Sequence, residues 1–279
     1  MTAQALEDYQ PLLVLALLAA TTLLETVRPF VESAVPRWRH ARRNLGIAAL
    51  AFIAFGATGF LKAGAAAWVG AHGIGLLNLV QLPWLVRISA SLLAFDLIDY
   101  LFHRLQHAVP WMWRFHRVHH SDPRVDASTS LRFHPVEGAA QTIFQAVAIV
   151  IVGIELDAMA IFDTLLLTLL YVQHANIAWP ARVDRLLRIA FVTPDVHHVH
   201  HSRQRRFTDS NFADVFTLWD RLFGTYAEAP DRRAIAYGLE EFDADAHQTV
   251  KGMALMPLAP VVAGPAPAIS EDGGVEAVR

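Results

Sequence analysis

The chain contains no cysteine. Disulfides, thiolate metal sites, iron–sulfur clusters and a cysteine nucleophile are therefore excluded. Lysine is nearly absent: of 23 basic residues only Lys62 and Lys251 are lysine, and the remaining 21 are arginine. Charge is scarce, at 18% of 279 residues with a net of −3; an ordinary soluble domain carries about 25%. No basic excess is available to hold DNA or RNA, so nucleic acid is not an expected partner. The HExxH motif of zinc proteases is missing. So are the paired Glu-x-x-His motifs of soluble di-iron bundles.

The sequence is rich instead in apolar length and in histidine. Hydrophobic residues make up 54% of the chain and histidine occurs 14 times; mean hydropathy is +0.33. The opening MTAQALEDYQ carries Glu7 and Asp8 and no basic residue, and no small-residue cleavage pattern follows, so no removable signal peptide is expected. Five apolar runs come next, at 9–24, 44–61, 84–102, 138–154 and 158–173, the second continuing weakly past Lys62 through a Gly/Ala-rich stretch. A membrane span needs about 17–25 such residues. The first two runs meet that need, and the third does so despite Asp96 and Asp99. The last two are short and nearly contiguous, and could cross the bilayer or dip into it and return.

Loop charge sets the expected orientation. Over 27–44, Arg28, Arg37, Arg39, Arg42 and Arg43 face a single acid, Glu32, whereas 63–86 carries no charge. The positive-inside rule places the arginine-rich loop in the cytoplasm and the glycine-rich stretch outside. A multi-pass protein of the plasma (inner) membrane follows, with the chain after residue 176 in the cytoplasm. The expected organisation is N-terminal membrane helices over 1–83, a histidine-bearing domain over 84–228, and a partly disordered tail over 229–279. From residue 256 onward the Pro/Ala/Gly-rich sequence reads as disordered.

Eleven of the 14 histidines fall between His103 and His201, all on the expected cytoplasmic side. His103 and His107 are spaced i, i+4, so one helix face carries both. His116, His119 and His120 form His-x-x-His-His, and His197, His200 and His201 repeat it, with His198 as an extra. At this composition one such motif is expected about 0.035 times by chance. Neighbouring helical residues diverge by about 100°, so His119 and His120 could face two adjacent metals. His174 ends the fifth run, and an imidazole at that depth needs a reason; ligation is one. His134 could be a ligand, an outer hydrogen-bond donor or a helix cap. His40, His72 and His247 have no partners in sequence and are expected to be ordinary surface histidines.

Eight or nine imidazoles exceed one metal's needs and suit two. Nitrogen donors fit iron, copper and zinc alike. The residues themselves therefore leave three readings open: a redox metalloenzyme, a zinc-dependent membrane hydrolase, and a non-enzymatic metal transporter or sensor. One-sided placement of the histidines counts against transport.

The order His103/His107, His116/His119/His120, His197/His200/His201, followed by NFADVFTLWDRLFGTY over 211–226, resembles the fatty acid hydroxylase superfamily. The likeness covers 92–227, about half the chain. It is most similar in pattern to sterol-desaturase-like and alkylglycerol-monooxygenase-like members. The resemblance implies an all-α integral membrane fold of about four embedded helices carrying a cytoplasmic helical cap. It implies two iron ions in a non-haem di-iron centre, O2 as oxidant, a membrane lipid as substrate and a separate electron-donor protein. The reaction is then hydroxylation or desaturation of a lipid C–H bond. The implied ligands are His103, His107, His116, His119, His120, His174, His197, His200 and His201. His134 and His198 lie off the core pattern and stand as possible ligands or outer partners. Asp99 is expected to accept from a ligating imidazole. Trp111, Trp113 and Phe115 read as an interfacial aromatic belt, Arg203, Arg205 and Arg206 as a solvated or headgroup-facing basic stretch, and Asp220 as structural.

Overall fold

The computed structural model describes residues 3–32, 35–229 and 231–261. Among them every regular element is a helix and no strand occurs, only three isolated bridges. The long helices are α1 (Ala3–Val27), α2 (Arg37–His72), α3 (Trp84–Ala108), α5 (Pro135–Val152) and α6 (Leu156–His174), with α4 (Pro110–His120) between α3 and α5. Short helices follow: α7 (Ala181–Leu187), α8 (Pro194–His200), α9 (Arg205–Thr208), α10 (Leu218–Phe223) and α11 (Val250–Leu255). Four segments are long and apolar enough to cross a bilayer: Tyr9–Val27, Arg37–Asn78, Pro135–Val152 and Leu156–His174. The protein is therefore a membrane protein.

Two of the five apolar runs behave differently from expectation. The second runs on past Lys62 through the start of the stretch expected as an outer loop: α2 continues unbroken to His72 and stops where Gly73 takes a left-handed φ of 60°. Lys62 is tolerated because its ammonium meets Asp163 of α6 at 2.6 Å, and the Ala-rich stretch beyond it favours helix. At 1.5 Å per residue α2 is about 54 Å long, well beyond the roughly 30 Å of a hydrocarbon core. The third run, α3, does not qualify as a span. Every stretch of it long enough to cross contains at least three of Arg87, Asp96, Asp99 and Arg104. Its middle is covered by protein instead. Asp96, fully buried, accepts the backbone N–H of Val215 and Phe216 at 3.0 Å and the Trp219 indole N–H at 2.9 Å. Tyr100 stacks on Phe223.

The bundle has two distinct ends. At one, α2 and α5 finish together. Gly75, at φ 95°, lies so close to Gly153 that an added Cβ would stand 2.3 Å from its Cα. The Arg87–Glu155 ion pair and the bond from Trp84 to Asp157 sit beside it. At the other end Phe30 donates to the Asn176 carbonyl, so α1 and α6 finish side by side. The Glu25 carboxylate receives the N–H of Ala127 and of Asn176, and pairs with Arg37. The arginine-rich segment and the histidine-bearing ends of α3 and α6 thus share one end.

That end is held by a polar core the sequence reading missed. His40, expected at the surface, is 3% exposed and lies in the first turns of α2. Its imidazole meets Asp122 at 2.7 Å and Asp126 at 3.2 Å. Asn44, one turn on, reaches Asp122 and Ser128, and fully buried Arg132 reaches Asn44, Ser121 and Gln248. His72 is exposed as expected, and His247 is half-buried. Burial opposes the charge of Asp122 and Asp126, yet His40, with Arg132 beside one and Arg124 beside the other, holds both carboxyls below the ordinary range. A carboxyl depressed in the folded state stabilises it fully above the unfolded value of about 3.9, and that stabilisation is lost as pH falls through the folded value. The share of stability that these two carboxylates supply to detergent-held protein is therefore expected to persist down to about pH 4 and to be lost progressively below. Asp126→Asn should lower the neutral-pH midpoint and flatten that acid limb in a pH series of thermal unfolding.

The segment after 228 is also better ordered than expected. Buried Arg117 of α4 donates to the carbonyls of Met256 and Ala259 at 2.6 Å and of Pro260 at 3.0 Å. Met253 and Met256 are buried against Val118 and Ile47. The disorder expected from residue 256 fails as far as 261, and residues 262–279 lie outside those described.

Candidate metal centre

Four elements deliver imidazoles to one place. His103 and His107 end α3; Val109 then breaks the helix and Pro110 opens α4 at a position where a proline is tolerated. The chain doubles back so that α4 lays His116, His119 and His120 against α3. His174 is the last residue of α6. Pro194 opens α8, a helix barely two turns long, which supplies His197, His198 and His200, with His201 at its C-terminus.

Nine of these nitrogens gather into two groups. His103, His107, His116, His120 and His200 form one; His119, His174, His197 and His201 form the other. Within each, one ring nitrogen per residue lies within 4.8 Å of all the rest. His119 and His120, adjacent in sequence, face different groups, as do His200 and His201. In the first group Nε2 of His116 stands 3.1 Å from Nε2 of both His103 and His120. In the second, Nε2 of His174 stands 3.0–3.2 Å from those of His119, His197 and His201.

Outer hydrogen bonds fix which nitrogen carries the proton. Nδ1 of His103 donates to the Phe212 carbonyl at 2.8 Å, that of His174 to Leu170 at 2.7 Å and that of His200 to Ser210 at 2.7 Å. Nδ1 of His116 meets the Glu137 carboxylate at 2.6 Å. Each of these rings therefore turns an Nε2 lone pair inward, the arrangement outer partners impose on metal-bound imidazole. The lone pairs of His103 and His116 face each other at 3.1 Å, which is repulsive unless a cation lies between the groups' nitrogens. Burial, reinforced by neighbouring imidazoles, holds His119, His120, His197 and His201 well below the ordinary histidine value and pushes His200 down to about 3. Neutral imidazole is the form that binds metal. Donor type, tautomer and convergence all fit two cations.

Glu137 escaped the sequence reading. It closes a capping box with His134 at the start of α5, and His134-x-x-Glu137 was the signal available for it. Its Oε1 serves His116 and also accepts from Gln106 at 2.9 Å. Glu137→Gln should retain the fold while lowering metal affinity about 10- to 100-fold, read by competition with a chelator; Glu137→Asp should recover less than the wild-type value.

The remaining candidates lie outside both groups. His134 caps α5, accepting from the Val136 N–H at 3.1 Å, and its Nε2 meets the Ala254 carbonyl. His198 bridges the Tyr237 hydroxyl and the His174 carbonyl at 2.8 and 3.1 Å, bracing the helix end that carries His174. Asp99 does not serve an imidazole as expected: its Oδ1 takes the Gln145 amide at 2.6 Å. Trp113 is no belt residue, since its ring packs on His107 and His120 with centroids 5.0 and 5.4 Å apart. Phe212 closes the opposite side against His103, His107 and His200. Trp111 is exposed, and Phe115 packs on His134. Asp220 is structural, receiving the N–H of Phe212 and Ala213. Arg203 pairs with Asp243 and Arg205 with Asp209.

A cavity of about 660 Å³ opens above the histidines. Its floor includes His103, His116, His119, His174 and His197, and its walls come from Val14 and Leu15 of α1, Ala51, Phe52 and Phe55 of α2, and Leu166, Leu167 and Leu170 of α6. Gly138 lets α5 close on Phe55, whose ring would stand 2.6 Å from an added Cβ.

A helical membrane protein with two groups of inward-facing imidazoles beneath an apolar cavity belongs to the class of membrane-embedded histidine-cluster proteins. Residues 88–225 match the family model named fatty acid hydroxylase, so the chain carries a domain of this family. It is 32% identical over 165 residues to alkylglycerol monooxygenase of Homo sapiens, covering 58% of this chain and 35% of the relative. It is 33% identical over 157 residues to a cholesterol 25-hydroxylase-like protein of Danio rerio, covering 53% and 59%. Cholesterol 25-hydroxylase of Rattus norvegicus is 28% identical over 158 residues, covering 56% and 52%. The chain thus spans about a third of the alkylglycerol monooxygenases it matches and about half of the cholesterol 25-hydroxylases. No solved structure matches it.

Proposed function

We propose that this protein is an O2-dependent lipid hydroxylase with two iron ions, one held by His103, His107, His116, His120 and His200 and the other by His119, His174, His197 and His201. The observation that carries the reading is the convergence of nine buried imidazoles on two points at the floor of a cavity walled by membrane helices. Iron bound there supplies activation of O2 with two external electrons and attack on an unactivated C–H bond. The overall stoichiometry is one lipid C–H, one O2, two electrons and two protons, giving one C–OH and one water. Hydroxylation is favoured over desaturation because the matched relatives are named as a monooxygenase and a hydroxylase.

The chain's own residues do three things. The carbonyls of Phe212, Leu170 and Ser210 and the carboxylate of Glu137 hold the imidazoles in one tautomer and orientation. Trp113 and Phe212 exclude water from the first group. The leucines of α6 and the small and aromatic residues of α2 shape a dry chamber that an aliphatic substrate can enter from the bilayer. Electrons come from a separate donor protein. The plasma membrane is the site of action, with the histidine end cytoplasmic; the arginine-rich segment at that same end supports this orientation.

Growth of cells under ¹⁸O2 with lipid mass spectrometry tests the reading. Cells with the wild-type protein should gain a lipid carrying one labelled oxygen that His120→Ala cells lack. A lipid that has lost two hydrogens without label identifies a desaturase. Identical lipidomes, with folded and iron-loaded protein and its electron donor present, contradict the proposal.

A further inference from the structure

The cavity is not apolar throughout. Lys62, Asp99, Gln141, Gln145 and Asp163 line it above the histidines. An ion pair such as Lys62–Asp163 at membrane depth is expensive and marks function more often than packing. Asp99 is the sharper observation. It is 1% exposed, its Oδ1 is taken by Gln145, and its Oδ2 is buried with no hydrogen-bond partner among the described residues. A buried acceptor left without a donor destabilises the fold. It persists where a ligand supplies the donor. The charges of Lys62 and Asp163 and the Gln141 amide also act on Asp99. The Lys62 ammonium spends one contact on Asp163 and another on the face of Phe95, and has three protons to donate.

Resting on the hydroxylase reading above, we propose that this cluster binds the hydroxyl group of a neutral lipid alcohol and so fixes which carbon is oxidised. The hydroxyl donates to Asp99 Oδ2 and accepts from the Lys62 ammonium or the Gln141 amide. Ethers, esters and carboxylates bring no proton to Asp99. An anionic headgroup is further disfavoured, since Asp99, Asp163 and Asp214 all line the cavity against one lysine. Along α3, Asp99 stands four residues before His103, about 6 Å of helix rise. Along α6, Asp163 stands eleven before His174, about 16 Å. The anchor therefore lies between about one and three helical turns above the histidines. A substrate tethered there presents to the centre a carbon at a set distance from its own hydroxyl.

The test measures binding without turnover, so it stands apart from any failure of the hydroxylase reading. Full-length, metal-loaded protein in nanodiscs is held anaerobic without reductant. Equilibrium binding is measured for cholesterol and its methyl ether, for hexadecan-1-ol and its methyl ether, and for hexadecanoic acid. In at least one pair the alcohol should bind about ten- to a hundredfold more tightly than the ether, as a hydrogen bond to a charged acceptor implies. Asp99→Leu should erase that preference and leave ether binding and metal content unchanged. Asp99→Asn, which keeps the shape and the Gln145 contact, should reduce it. Equal binding of alcohol and ether in both pairs by the wild type overturns the proposal, as does tighter binding of the acid than of hexadecan-1-ol. So does a preference that survives in both variants.

Discussion

His119→Ala is expected to lose one metal ion per chain and to lose product formation below detection, while the fold survives. His119 belongs to the four-imidazole group, and its removal leaves His174, His197 and His201 to hold the ion alone. Its side chain stacks on Phe133 and is buried, so alanine also opens a small cavity. That cost is of the order of 2–4 kcal/mol for a large buried ring, within the reach of a bundle held by several long helices. His200→Ala is the companion from the five-imidazole group. It should lower the occupancy of the other site and abolish activity too, because the reaction needs both ions. Elemental analysis paired with product assay separates the two sites, and retention of full activity by either variant counts against a shared centre.

Ala51→Phe should produce the opposite signature: full metal content and activity reduced about 100-fold or more. Ala51 is 3% exposed and faces the cavity from α2. A phenyl ring there occupies space the substrate needs and leaves the imidazoles on α3, α4, α6 and α8 untouched. Overpacking costs about 1–3 kcal/mol, so the protein should remain folded. A displacement of a few tenths of an ångström at the reacting carbon would itself be costly, since rate falls steeply with misplacement. Ala51→Gly is the control, expected to stay near wild-type turnover. Wild-type activity in Ala51→Phe would mean that substrate does not occupy this chamber.

The histidine motifs were readable because ligand spacing and helix period coincide. Residues i, i+3 and i+4 share a face, and adjacent residues diverge, so the separation of His119 from His120 is written in local order. Apolar runs likewise gave α1, α5 and α6. What escaped depends on contacts distant in sequence. Glu137 meets His116 only after α4 doubles back, and a capping box gives no hint that its acid also serves an imidazole. His40 looked solitary because its partners, Asp122 and Asp126, lie over eighty residues away. Trp113 resembles any interfacial tryptophan until α3 and α4 are packed together. Asp96 made α3 resemble an interrupted span, and the backbone of Val215 and Phe216, which it receives, cannot be read from the run itself. The C-terminal segment lacks hydrophobic period, yet Arg117 fixes it through carbonyl groups that every sequence has.

The central claim is that two groups of histidines hold two irons, and the iron content of active protein tests it most directly. Wild-type protein expressed with ample iron, purified in detergent and assayed for turnover, should contain two irons per chain by plasma mass spectrometry. His119→Ala and His200→Ala should each contain fewer. Zinc taken up during overexpression is not decisive, because imidazole sites admit it readily. Fully active protein free of iron would contradict the account.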